Sequence, residues 1–251
     1  ISITPESRRE INIPTQWKDK NVILHIGAAK SNLRVWVNGK YVGYGEDGKL
    51  PSEFDISPYV NTGKNLIVLQ VMRWCDGTYM EGQDFWRISG ITRDCYLVAR
   101  DPVYIYDFGM ETILKNNYKT GTLETNIELN KPTTAAATAI VELKDHNKII
   151  GTATVLFKSG EKAKKASLNV SNPKLWSAEA PSLYQSFIKL YDSKNKLIEI
   201  IPHKIGFRDI KIQNGQLLVN GQPILIKGVN RHETDPITGQ TISKESMLQD
   251  I

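Results

Sequence analysis

Two stretches of this chain concentrate side chains able to do chemistry. The first, Arg73-Trp74-Cys75-Asp76-Gly77-Thr78-Tyr79-Met80-Glu81-Gly82-Gln83-Asp84-Phe85-Trp86-Arg87, holds three acids and four aromatics within fifteen residues. Aromatic faces stack on the C–H faces of sugar rings, while carboxylates accept hydrogen bonds from hydroxyls or bind cations through hard oxygens. Sugar or cation binding is the chemistry that this density suits. The plainer reading makes Trp74 and Trp86 core residues and pairs Asp84 with Arg87 three positions on. The second stretch is Gly228-Val229-Asn230-Arg231-His232-Glu233, at the end of a short apolar run. Active sites of (β/α) barrels gather at the C-terminal ends of their strands, so polar groups there are candidates for substrate contact. A lone His beside Arg and Glu is more often a surface or ion-paired residue than a catalytic one. His25, His146 and His203 fall in an apolar strand, a turn and a position after Pro, with no Ser or Cys arranged as a nucleophile.

The elements that must position these residues are nearly all strands. Residues 122–129 alternate with Leu123, Thr125, Ile127 and Leu129 on one face, the pattern of a half-buried antiparallel strand. Residues 139–143 and 187–191 read the same way, and 21–27, almost wholly apolar, reads as a strand buried on both faces. Asn38-Gly39, Asn214-Gly215 and Asn220-Gly221 predict hairpin turns, because both central residues of a type I′ turn need positive φ. No helical window of ten residues precedes position 240. The chain is therefore expected to be mainly β: a first sandwich over 1–100, a second over 101–206, and a third zone over 207–251. In that zone the apolar run 224–229 reads as a parallel strand. Ser243-Lys244-Glu245 then starts a helix, with Ser243 capping free N–H groups and Glu245 suiting the positive end. The sequence stops at Ile251 about two turns in, so the protein is expected to continue.

Composition excludes several classes. At 251 residues with 40% hydrophobic and 24% charged side chains the chain is globular, and its longest apolar runs fall far short of a membrane span. The net charge of +5 is diffuse, and the basic run at 158–165 has no interleaved aromatics, so no nucleic-acid partner is expected. Cys75 and Cys95 fit no metal spacing and read as buried reduced thiols, with a single bridge left open.

Six segments spread in order along the chain carry a family resemblance: 35–45 (Val-Trp-Val-Asn-Gly-Lys-Tyr-Val-Gly-Tyr-Gly), 50–55 (Leu-Pro-Ser-Glu-Phe-Asp), the 73–90 stretch, 172–179 (Asn-Pro-Lys-Leu-Trp-Ser-Ala-Glu), Ile205-Gly206-Phe207-Arg208, and 228–233. Together they resemble the β-galactosidases of glycoside hydrolase family 2, of the large bacterial type. The resemblance implies a jelly-roll sugar-binding domain whose opening strands precede Ile1, an immunoglobulin-like sandwich, and the first βα unit of a TIM barrel. It implies a retaining enzyme with two glutamates roughly 5 Å apart, both on later barrel strands, so no catalytic residue is expected in this chain and the fragment is expected to be inactive. By motif match, Asp84 would contact a sugar hydroxyl and a sodium ion, and His232 the galactosyl ring. Asp76 and Glu46 would be ligands of a peripheral magnesium ion, although Glu46 stands where the family has Gln and its other ligands precede Ile1. A homo-oligomer acting on β-galactosides, with no membrane partner, is implied. The alternatives are a non-enzymatic carbohydrate-binding sandwich module, or a sister glycosidase of the β-glucuronidase or β-mannosidase type. The terminal βα unit separates the first alternative from an enzyme, since only a barrel requires it.

Overall fold

Alternating apolar and polar residues close into two-sheet sandwiches when each sheet has one face to bury. A computed structural model describes residues 6–82, 86–239 and 241–251 in this way, as a mainly β chain in two units, 1–102 with 229–251 and 103–228. The strands of the first unit are, in chain order, β1 (Glu6–Ile13), β2 (Asn21–Ile26), β3 (Ala29–Lys30), β4 (Asn32–Val37), β5 (Lys40–Glu46), β6 (Ser52–Asp55), β7 (Gly63–Met72), β8 (Gly90–Ile91) and β9 (Cys95–Arg100). One sheet runs β1-β7-β4-β5, another β6-β2-β9, and β3 pairs with β8. Val22, Leu24 and Ile26 of β2 meet Leu33, Val35 and Val37 of β4 and Ile67 and Val71 of β7 in one core.

β2 corrects the expectation of a strand buried on both faces. Only Val22, Leu24 and Ile26 are buried; Asn21, Ile23 and His25 alternate with them at intermediate exposure. Side chains of the flanking strands partly cover that outer face: the His25 ring stacks on Tyr96 at 4.4 Å, and its Nδ1 lies 2.8 Å from Glu53 Oε1. The β4–β5 turn is as expected, with Asn38 at φ 51° and Gly39 at 77°. The Asn38 side chain also fastens it, donating to Tyr59 O at 2.9 Å and to Asn65 Oδ1 at 2.8 Å.

The second unit holds β10 (Ile105–Lys115), β11 (Thr120–Leu129), β12 (Ala137–Asp145), β13 (Lys148–Phe157), β14 (Ala163–Ser171), β15 (Tyr184–Tyr191) and β16 (Leu197–Ile205). Sheets β10-β11-β14 and β13-β12-β15-β16 give the immunoglobulin-like division of seven strands into three and four. β11 buries Leu123, Thr125, Ile127 and Leu129, as its alternation requires. Beyond the sandwich, β17 (Ile210–Gln213), β18 (Gln216–Val219) and β19 (Gln222–Pro223) form a meander whose two turns are the Asn214-Gly215 and Asn220-Gly221 pairs, all four residues at positive φ.

The run 224–229 is not a strand. Leu225, Ile226 and Val229 are 79%, 78% and 92% exposed, because a parallel strand takes its ladder from neighbours and, past the Ile224 N–H that bonds to Leu217 O of β18 at 3.1 Å, no strand pairs with the run among the described residues. The final helix does form, over Lys244–Asp250, with Ser243 Oγ accepting from Ser246 N at 3.2 Å. Among the described residues no helix is long and apolar enough to cross a membrane.

Candidate functional site

The acid- and aromatic-rich stretch is not wholly a loop. Asp76–Glu81 forms a helix, α1, in which Cys75 N donates to Thr78 Oγ1 at 3.0 Å. This six-residue turn carries no apolar periodicity, which is why pattern reading passes over it. Trp74 is 40% exposed, Tyr79 68% and Trp86 64%, so the core reading of the two tryptophans does not hold. The guanidinium of Arg73 lies 5.2 Å from the Trp74 ring, and that of Arg87 lies 5.9 Å from Trp74 and 5.5 Å from Tyr79, which compensates exposed rings through their quadrupoles. Both cysteines are free thiols, Cys75 half-buried and Cys95 exposed, in place of the two buried thiols expected. Asp84 lies outside the described residues.

Glu46, the last residue of β5, is brought to the N-terminus of α1 beside Asp76. Its Oε1 accepts from Gly77 N at 3.1 Å and its Oε2 from the Tyr44 hydroxyl at 2.6 Å. A carboxylate suits a helix N-terminus, whose free N–H groups carry partial positive charge. The Tyr44 hydrogen bond, with others from Cys75 and Gly77, holds the Glu46 carboxyl below its usual range. The same bond, aided by partial burial, pushes the Tyr44 phenol up to about 12. Both Glu46 oxygens are thus engaged by the protein, and among the described residues no three His, Cys, Asp or Glu side chains converge on a point. These residues alone do not furnish the magnesium ligand set that the resemblance implies.

This pair makes a pH prediction with a definite sign. Raised in the folded state, Tyr44 contributes stability that is complete below its ordinary value of 10.0 and lost as pH climbs through about 12. Glu46, lowered, contributes above its ordinary value and loses that contribution as pH falls through its folded value. Ultraviolet titration of the phenolate band is expected to show a late-ionising tyrosine that moves back toward 10.0 in Glu46→Gln. A titration curve unchanged by that substitution would remove the Tyr44–Glu46 bond from the account.

The turn that leaves Glu46 leads straight to the second candidate. Asp47 Oδ1 accepts from Lys49 N at 2.9 Å and Leu50 N at 3.0 Å, Glu81 Oε2 from Gly48 N at 2.9 Å, and Arg93 Nη1 donates to Lys49 O at 2.8 Å. Glycine keeps position 48 open for these contacts: a Cβ there would stand 2.6 Å from Glu81 Oε2 and 3.1 Å from the buried Lys30 side chain, so both would have to shift. Within the same unit, Gly48 and Lys49, Thr92 and Arg93, and Arg231, His232 and Glu233 enclose a polar pocket of about 360 Å³. His232 is exposed to it. An imidazole can donate and accept hydrogen bonds, as sugar hydroxyls require. Lys49, Thr92 and Arg93 were not legible as site residues. The available signal was the polar Thr92-Arg93-Asp94 run directly after β8.

Comparison with known proteins agrees with this architecture. Residues 4–101 match the sugar binding domain of glycosyl hydrolases family 2, residues 103–208 match the family 2 domain itself, and residues 210–251 match its TIM barrel domain. A β-galactosidase from Halalkalibacterium halodurans is 38% identical over 240 residues, covering 96% of this chain and 24% of that protein. Among solved structures, Bacteroides uniformis β-glucuronidase superposes with a TM-score of 0.86 at 25% identity, covering 100% of this chain and 32% of that one. The β-D-glucuronidase of Dictyoglomus thermophilum gives 0.80 at 30% identity, covering 98% and 43%. The chain therefore spans about a quarter of the length of the curated relative it matches. Three consecutive matches to one family, in the order that its domains require, place this sequence: the chain belongs to glycosyl hydrolases family 2.

Proposed function

We propose that this chain is the sugar-binding and barrel-entry region of a retaining β-galactosidase, which removes terminal non-reducing β-D-galactose from β-galactosides. The observation that carries the reading is the 38% identity to a β-galactosidase along 96% of the chain, above the 25–30% shared with the β-glucuronidase structures quoted. In such an enzyme one glutamate forms a covalent glycosyl intermediate and another acts as acid, then base. We place both on barrel strands outside this chain, so that the chain alone is inactive. Its own contribution is to hold the sugar. His232 lines a pocket large enough for a hexose ring and would donate to or accept from a ring hydroxyl, an interaction that strengthens as the ring flattens toward an oxocarbenium ion. Asp84, by its motif, would accept a second hydroxyl and help to hold a sodium ion.

A β-glucuronidase is the second reading, favoured by the structural neighbours and by Lys49, Arg93 and Arg231 around the pocket, since a uronate carboxylate is met by cations. Full-length protein assayed on p-nitrophenyl β-galactoside and p-nitrophenyl β-glucuronide separates the two. Turnover of the galactoside alone is expected; turnover confined to the glucuronide would sink the galactosidase reading.

A further inference from the structure

Among the described residues no helix or strand lies between Pro223 and Lys244, so the backbone that carries His232 has no ladder to fix it. Arg231 reaches from that segment to the final helix. Arg231 Nε donates to Asp250 Oδ2 at 2.6 Å, and its Nη2 lies 3.4 Å from Ser246 Oγ, both acceptors on the final helix 244–250. The guanidinium is held inside the fold: the side chain is 27% exposed, and Nη1 is buried without an acceptor. Asp250 gives the guanidinium its charged partner. It sits in the last turn, where a helix presents partial negative charge, and that turn has no basic residue of its own. Arg231 supplies the missing positive charge from nineteen residues away.

We propose that Arg231 is a positioning residue, which ties the 230–234 loop to the final helix and so sets where the neighbouring His232 imidazole stands in the pocket. The proposal rests on the reading of His232 as a substrate contact only for its kinetic consequence. An ion pair at this exposure adds little to stability, but a small displacement of a substrate-contacting group costs about tenfold to a hundredfold in rate.

The test uses side-chain histidine NMR of the 251-residue chain, with its four histidines assigned by single substitution, and kcat/KM of the full-length enzyme. In Arg231→Ala and Asp250→Asn the His232 resonances are expected to shift while those of His25, His146 and His203 stay and the melting temperature is nearly unchanged. The charge-swapped pair Arg231→Asp with Asp250→Arg is expected to recover most of the shift. In the enzyme, Asp250→Asn is expected to lower kcat/KM about tenfold. Asp250 is half-exposed, so its substitution stays informative even if Arg231→Ala unfolds. Unmoved His232 resonances in Asp250→Asn overturn the proposal. Because the NMR readout needs no substrate, it judges the tie even if the enzyme proves to be inert toward galactosides.

Discussion

Replacing His232 by phenylalanine is expected to lower kcat/KM for p-nitrophenyl β-galactoside about 100- to 1000-fold in the full-length enzyme, or ~3–4 kcal/mol of transition-state stabilisation. Phenylalanine keeps the size and planarity of the ring but removes both nitrogens, so it isolates the hydrogen bond from the packing. His232 is exposed at the pocket wall, and the core of its unit is built from other residues, so the fold is expected to survive. The split between constants carries the mechanism. A hydrogen bond that strengthens as the sugar flattens is lost mainly from kcat, whereas one made equally in the ground state is lost from KM. Unchanged kcat/KM would place His232 outside the sugar site and leave the pocket without its assigned ligand.

The largest stability effect is expected at Phe207, which is 0% exposed in the core of the second sandwich. Its ring meets Tyr184 edge-on, centroids 5.5 Å apart at 89°, and lies so close to β11 that a Cβ on Gly121 would stand 2.7 Å from it. Phe207→Ala removes these contacts and leaves a void that the rigid strands cannot close, at a cost of ~3–5 kcal/mol. Urea unfolding followed by circular dichroism measures it. A loss under about 1 kcal/mol would mean that the core collapses around the gap, contrary to a close-packed interior. The same geometry predicts that Gly121→Val, which adds atoms where Phe207 stands, also destabilises.

Phe207 illustrates how much of this molecule is local information. Its segment, Ile205-Gly206-Phe207-Arg208, was recognisable as a motif, and the alternation of residues 122–129 named the face of β11 that it packs on. Ser243 was legible as a helix cap because a cap acts within a single turn, and the three Asn-Gly turns because positive φ is a property of two residues. The family itself was readable for the same reason, since ordered short segments survive without their neighbours.

What failed to be legible depends on partners distant in sequence. A strand looks buried on both faces when its residues are apolar, but the outer face of β2 is decided by Tyr96 and Glu53, more than twenty residues away. The tryptophans of the 73–87 stretch look like core, yet both are exposed, and the Trp74 ring is met by the guanidinium groups of Arg73 and Arg87. The run 224–229 has the composition of a strand, and composition cannot supply the neighbour that a parallel ladder requires.

Local chemistry, acting over a few bonds, was thus enough for the alternating strands, the Asn-Gly turns, the final helix start and the family of this chain. The pocket is a different kind of fact. It joins Gly48-Lys49, Thr92-Arg93 and His232, which lie up to 184 residues apart. Only the tertiary structure brought them together, because convergence is a consequence of how sheets bury their apolar faces and not of any spacing along the chain.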